Sequence, residues 1–275
     1  MTTYKYVKSK YHKFFYPEIE PFIKEELNEK NDVKKCIQKR FDRIFLELET
    51  NKMPDDFEMR RKIGENENEV CEIIRKDLIE KFIIYINKND ISLTTMIKSS
   101  IYETNPFLIK RQVLITDSYM SLFDNEDNST LIEYAAFFGA IQIVKYLYKN
   151  NVELTQFLWI YAIHSDNPEL IHFLEENKIN IDSCYYNKCV KESIKCHHND
   201  ITNYILSKYD DLTISYEELC DFCFRYHNMS FFPENFNNAF CIFLLACKYD
   251  YYQIVEFFLK TKKVDLNNEK KNNFN

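Results

Sequence analysis

Apolar residues recur along this chain with the spacing of amphipathic helices, and the pattern itself repeats. Ile19, Phe22, Ile23 and Leu27 predict one helix from about 18, and Val33, Cys36, Ile37, Phe41, Ile44, Phe45 and Leu48 predict a second from about 32. Residues 1–16 mix lysines with aromatics without a clean period and read as an arm. Asn51-Lys52-Met53-Pro54 ends the pattern, since Pro54 disfavours helix at the residue before it, so a linker or short helix is expected over 51–66. From Glu67 onward helices come in pairs: Val70 to Ile74 with Leu78 to Ile86, then 130–138 with 141–149, 156–165 with 168–177, 187–197 with 200–208, and 238–248 with 251–260. Pro106 is read as a break within short or irregular structure over 91–115. Tyr216 to Tyr226 reads as helix and 228–237, with Pro233, as loop.

The segment Thr130 to Leu147 recurs most plainly. Ala135, Gln142, Ile143 and Val144 fall on Ala246, Gln253, Ile254 and Val255 at a shift of 111. At a shift of 27, Tyr134, Ala135 and Leu147 fall on Tyr161, Ala162 and Leu174. In the first pair Asp77 takes the place of Gly139, and in the fourth Lys195 falls where Ala135 sets a small residue. Self-similarity at such periods predicts stacked helical hairpins. The expected fold is therefore all-α, a helical-hairpin solenoid. It is divided into an arm and N-terminal helical cap over 1–62, hairpins over 63–208, an irregular insertion over 209–237, and a last hairpin with a polar tail over 238–275.

Composition narrows this further. The 275 residues are 45% hydrophobic, 16% aromatic and 29% charged, enough for a core with wet helix exteriors. Only two glycines occur, Gly64 and Gly139, where average usage predicts about nineteen. That scarcity argues against many-stranded folds and phosphate-cradling loops. Asn125, Asn128, Asn150-Asn151, Asn167, Asn199 and Asn267-Asn268 are expected to take the left-handed turn positions instead. A net charge of −7 disfavours a dedicated nucleic-acid binder. Nine cysteines without paired spacing suit reduced thiols, the start of the chain lacks an apolar signal core, and no run approaches a membrane span. A cytoplasmic protein with no membrane association is expected.

Thr130, Ile132, Ala135-Ala136, Gly139 and Ile143-Val144-Lys145 resemble an ankyrin repeat, with Leu131 and Glu133 standing where that pattern carries Pro and His. Val264-Asp265-Leu266-Asn267 looks like the end of such a repeat, and Asn272-Asn273-Phe274 like the start of a further finger, as in a truncated array. With Arg61 to Asn66, Phe107 to Lys110 and Trp159 to His164, the arrangement is similar to a diverged ankyrin-like family of parasitic protists known as a domain of unknown function, over about 60–275. The resemblance implies a non-enzymatic scaffold for protein–protein interaction. Tyr134, Phe137, Phe138, Ile160, Tyr161 and His164 occupy positions that line the concave, partner-binding side of ankyrin-like arrays. Packing between hairpins is the competing expectation for each of them, and for Trp159. The implied partner is another protein, with a monomer as the expected state.

Chemistry is sparse. Cys220, Cys223 and His227 stand at i, i+3 and i+7 and define the alternative reading, a zinc- or nucleic-acid-linked module. Cys184, Cys189, Cys196, His197 and His198 lie upstream. Interleaving with Phe222 and Phe224 favours core positions for the cysteines of the first group, so no metal and no cofactor are expected. Phosphate loops, nucleophile elbows and His-Glu-x-x-His motifs are missing from the sequence. No catalytic residue is assigned, although a cysteine partnered in space by a histidine remains a third possibility.

Overall fold

Helices in this chain end by swinging one residue into left-handed backbone, and this turn recurs so regularly that it marks the repeat. A computed structural model describes residues 14–15, 17–18, 55–98, 100–109, 129–209, 211–234 and 238–261. Among these the fold is all-α, and the only extended pairing is an isolated antiparallel bridge between Met96 and Thr130. No helix in them is long and apolar enough to cross a membrane. Most of the arm and of the first N-terminal helix, all of the second with Cys36, and Val264 to Phe274 lie outside the described residues.

The chain divides into two compact units. One comprises the residues up to Ala135 with Gln142–Val152, and the other Ala136–Ile141 with the residues from Glu153 onward. In the first unit, α1 (Phe57–Ile63) stops at Gly64, whose φ of 73° needs no Cβ relief. Helices α2 (Glu69–Arg75) and α3 (Ile79–Lys88) pack together through Ile73, Ile74, Phe82 and Ile86. A four-residue helix α4 (Pro106–Ile109) follows. Pro106 thus begins a helix rather than breaking one, because a first helical position needs no N–H, and Asn105 accepts the Phe107 N–H at 3.0 Å. Thr95 to Ile97 then pairs with Ser129 to Leu131 at the entry to α5 (Leu131–Phe137).

Glu133, where the ankyrin pattern has His, is buried and closes a capping box. Its Oε2 accepts from the Thr130 N–H at 2.8 Å, and the Thr130 hydroxyl oxygen accepts in turn from the Glu133 N–H. Asp77 likewise accepts from the Gln142 and Ile143 N–H groups at 3.0 and 3.1 Å, placing a negative charge at the N-terminus of α6 (Ile141–Lys149).

The second unit holds α7 (Leu158–Ser165), α8 (Pro168–Glu176), α9 (Ser183–Lys195), α10 (Asn199–Lys208), α11 (Tyr216–Arg225), a 3-10 turn (Met229–Phe231), α12 (Ala239–Lys248) and α13 (Tyr252–Thr261). Asn167 caps α8 ahead of Pro168, as expected. Helix α9 starts four residues earlier than its apolar pattern because the Asp182 carboxylate accepts the Cys184 and Tyr185 N–H groups. Within this unit α7 packs on α9, α9 on α11 and α11 on α12, while α8, α10 and α13 each pack on the helix before them. Neighbouring turns are joined as well. Asn167 Nδ2 donates to the Gly139 carbonyl at 3.0 Å, His197 Nε2 to Tyr226 O at 3.0 Å, and the buried Asn228 Nδ2 to Ile194 O at 3.1 Å and Asn199 Oδ1 at 2.9 Å. Trp159 is fully buried with its indole N–H on Ile179 O at 2.6 Å, and thus packs between elements as one expectation held.

The first helix of each of the five pairs, and α11 besides, ends on a left-handed residue: Asp77, Gly139, Asp166, His197 and Asp250, with His227 after α11. The shifts of 27 and 111 carry Gly139 onto Asp166 and Asp250, so the sequence alignment is an alignment of backbone conformation. One residue later the N–H turns back to a carbonyl five positions earlier: Leu78 to Ile73, His198 to Ser193, Asn228 to Cys223 and Tyr251 to Ala246, at 2.9–3.1 Å. Asp90, Asn151 and Lys178 do the same at the ends of α3, α6 and α8. Two expectations are corrected here. Asparagine does not generally take the place of glycine: of the described candidates only Asn151 is left-handed, while Asn167 and Asn199 sit beside the turn, where their side chains bond other turns. With the turns aligned, the partner of Ala135 in the fourth pair is the buried Ser193 rather than Lys195, and the small-residue rule holds.

A lysine held left-handed is strained for want of a glycine. Lys178→Gly removes a Cβ from φ 62° at an exposed position, and is expected to raise stability by about 0.5–1 kcal/mol after the entropy glycine adds to the unfolded chain. Urea denaturation measures this, and an unchanged or lower midpoint rejects the strain argument.

Candidate functional site: a histidine, a glutamate and a cysteine between two helices

His164 lies in the last turn of α7 and Glu192 in the last turn of α9, with Cys196 one turn further at the end of α9. Because α7 and α9 pack together, the three meet. His164 Nε2 stands 2.7 Å from Glu192 Oε1, and Cys196 Sγ lies 3.5 Å from His164 Nδ1 and 3.7 Å from the same glutamate oxygen. Lys195 Nζ approaches that oxygen at 3.0 Å. The Phe137 ring covers the imidazole with centroids 4.9 Å apart. His164 and Glu192 side chains are only 14% and 8% exposed, so these groups interact with little water between them. Burial pushes the Glu192 carboxyl up, but His164 and Lys195 outweigh it and hold the group below its usual range. The Cys196 thiol is pushed up to about 12, chiefly by burial and then by the glutamate charge.

A thiol so held is a poor nucleophile. Sγ and the carboxylate face different ring nitrogens, Nδ1 and Nε2, as in a nucleophilic triad, but the thiol contact is long at 3.5 Å and Sγ also lies 3.7 Å from the glutamate oxygen, whose charge opposes thiolate formation. The donor set of imidazole nitrogen, carboxylate oxygen and sulfur is instead one a divalent metal accepts. Among the described residues this is the one group of three or more such side chains whose donor atoms converge within 4.8 Å.

The predicted partner-binding residues separate into two sets. Tyr134, Ile160 and Tyr161 are buried, and a side chain without surface offers a partner nothing to hold. Tyr134 instead accepts a hydrogen bond from Arg75 at 2.7 Å, and Tyr161 packs edge-on to Phe157. Phe137, Phe138 and His164 are half-buried, with the two phenylalanine rings edge to face at 5.0 Å.

The alternative trio does not converge. Cys220 and Cys223 are fully buried, Cys220 in a core with Phe224, Leu245 and Ala246. His227 is exposed at the turn and pairs with Tyr251 Oη at 2.7 Å. Burial pushes the Cys220 and Cys223 thiols up to about 12 and about 11. Cys223 occupies the small-residue position of its pair, the same as Ala162, Ser193 and Ala246, which accounts for it without a ligand. Glu192 escaped sequence reasoning. The signal for it was present, as a carboxylate four residues before Cys196 on one helix face, facing a histidine about one repeat upstream.

On α11, the helix of Cys220 and Cys223, Asp221 ties α11 to α12. Its carboxylate meets Lys248 at 2.8 Å, Tyr249 Oη at 2.7 Å and Arg225 at 3.1 Å. Burial pushes the Asp221 carboxyl up, but the Lys248 and Tyr249 hydrogen bonds and the Arg225 charge hold it below the usual aspartate range.

Two measurements test these environments. Since the folded Asp221 value is depressed, its network stabilises the fold above the unfolded value of about 3.9 and loses that contribution as pH falls through the folded value. Asp221→Asn should therefore be the less stable protein at neutral pH, with the gap closing in urea midpoints taken from about pH 5 down to about pH 2. A pH-independent gap would contradict this account. Alkylation under native conditions should modify the exposed Cys184 and Cys247 first and reach Cys71, Cys189, Cys220 and Cys223 only at the rate of opening. Fast labelling of any of those four speaks against their burial. Compared with protein-family models, with curated proteins and with solved structures, the chain matches none of them.

Proposed function

We propose that this chain is a non-enzymatic scaffold, an ankyrin-like stack of helix pairs that docks another protein along the edge where its first helices end. The observation that carries this reading is the recurring turn. Each pair closes with a residue in the same left-handed conformation, most of these turns carry the same backward hydrogen bond, and within the second unit each first helix rests on the next. An array built this way fixes its apolar seam and leaves turn-proximal side chains free to vary, which is how repeat proteins present binding surfaces. Phe137, Phe138 and His164 are the predicted partner-facing residues that keep surface, while Tyr134, Ile160 and Tyr161 are buried, Tyr161 edge-on to Phe137. Aromatic anchors bury much area with few rotors to freeze. A net charge of −7 points away from a polyanion and towards a protein partner.

Crosslinking with mass spectrometry in the native cell should place a protein partner on the ends of α5 and α7. Phe138→Asp should then cut recovery of that partner by about tenfold or more, as loss of an interface aromatic does. Undiminished recovery with a far-ultraviolet helical signal equal to the parent would refute this edge as the binding surface.

A further inference from the structure

From the convergence of His164, Glu192 and Cys196, we infer that the chain holds one zinc-type divalent metal ion between α7 and α9, with a fourth coordination position left to water. This goes beyond the scaffold reading and stands or falls independently of it. Zinc bonds of about 2.0–2.3 Å at the tetrahedral angle put neighbouring donor atoms about 3.3–3.7 Å apart. A metal takes one imidazole nitrogen: the sulfur is already 3.7 Å from the carboxylate oxygen but faces Nδ1, at 3.5 Å, so with Nε2 as the ligand it has to swing toward that nitrogen, and the three side chains offer donor atoms within 4.8 Å of one another. The 2.7 Å contact between His164 Nε2 and Glu192 Oε1 is shorter than such an edge and has to open by about 0.6–1.0 Å.

The donors are held where a metal needs them. Glu192 and Cys196 are one helical turn apart on α9, so their spacing is set by backbone, and the Phe137 ring limits how far the imidazole can swing. One thiolate, one imidazole and one carboxylate form a borderline donor set suited to zinc rather than to calcium or magnesium, which take oxygen ligands. Binding forms a metal–sulfur and a metal–imidazole bond: the Cys196 thiol proton leaves to solvent and the proton between His164 Nε2 and Glu192 moves to Nδ1 or to solvent, so that thiolate and carboxylate balance the cation. Lys195 shares the glutamate oxygen at 3.0 Å and has to give way. Its side chain is 35% exposed and can turn to water.

The test uses the full chain with the exposed thiols removed as Cys184→Ser and Cys247→Ser, stripped with a chelator and titrated with Co(II) and then Zn(II). One equivalent of Co(II) should produce a thiolate-to-cobalt charge-transfer band that Zn(II) abolishes. Cys196→Ser should lose the band, His164→Gln and Glu192→Gln should weaken binding by about tenfold or more, and His227→Ala should leave it intact. Zn(II) should also raise the melting temperature of the parent and not that of Cys196→Ser. A parent without the band, or a band that survives Cys196→Ser or disappears with His227→Ala, overturns the assignment. Each variant is compared only after its metal-free melt is cooperative. If Glu192→Gln does not fold, the half-buried Cys196→Ser and His164→Gln carry the test.

Discussion

The left-handed turn without glycine is the constraint on which the rest of this structure depends. A helix can reverse within two residues only if one of them leaves right-handed space, and for residues with a Cβ that costs about 1–2 kcal/mol. Eight described non-glycine positions bear this cost, four of them aspartates and the others Asn151, Lys178, His197 and His227. At seven of them what offsets it is the bond that follows, in which an otherwise orphaned helix carbonyl is satisfied by the N–H one residue beyond the turn. The accepting residue is buried, and at the ends of α9, α11 and α12 it is small, as Ser193, Cys223 and Ala246, while at the other turns it is Ile or Leu. One local rule thus sets the helix length, the turn and the closeness of packing beneath it.

Polar side chains at the turns then do a second job. Aspartate is the cheapest residue after glycine and asparagine to hold left-handed, and it also carries an acceptor. Asp77 uses that acceptor to cap α6, and Asp166 Oδ1 approaches His198 Nδ1 at 3.4 Å. Where the left-handed residue is histidine the bond runs the other way, from His197 to the Tyr226 carbonyl. Asparagine, displaced from the strained position, serves beside it. Asn167 and Asn228 each have an amide that can donate to a carbonyl of the preceding turn. A glycine-poor chain gains adhesive turns that glycine could not have supplied.

This explains which parts of the fold were legible. The helix pairs were readable because one face of each is apolar, and the shifts of 27 and 111 were readable because the turn position is fixed. Glu133, Pro106, Asp182 and the true partner of Ala135 were misjudged or missed, since each depends on a cap or turn that sets where a helix starts, and apolar period says little about ends. The aromatic positions at 134, 160 and 161 follow the same logic. Their place in the repeat is visible in the sequence, but whether a ring faces a partner or a neighbouring helix is decided by packing, which buries all three. The two-helix cap expected before residue 51 falls outside the described residues.

Two polar clusters in the second unit show how differently charge can join the same kind of helices. Asp221 satisfies one carboxylate with Lys248, Arg225 and Tyr249, with the cations reaching solvent, so the network is complete with protein groups alone. Glu192 sits deeper, and its near partners are a covered imidazole, a lysine and a thiol that burial keeps protonated. Desolvating a carboxylate is costly unless its partners are well placed, and a sulfur at 3.7 Å contributes little as a hydrogen-bond donor. Replacing the weak thiol contact by a metal–thiolate bond would convert the least satisfied member of the cluster into its strongest. On energetic grounds this pocket, rather than the apolar helix that carries Cys220 and Cys223, is where an ion would add most to the fold.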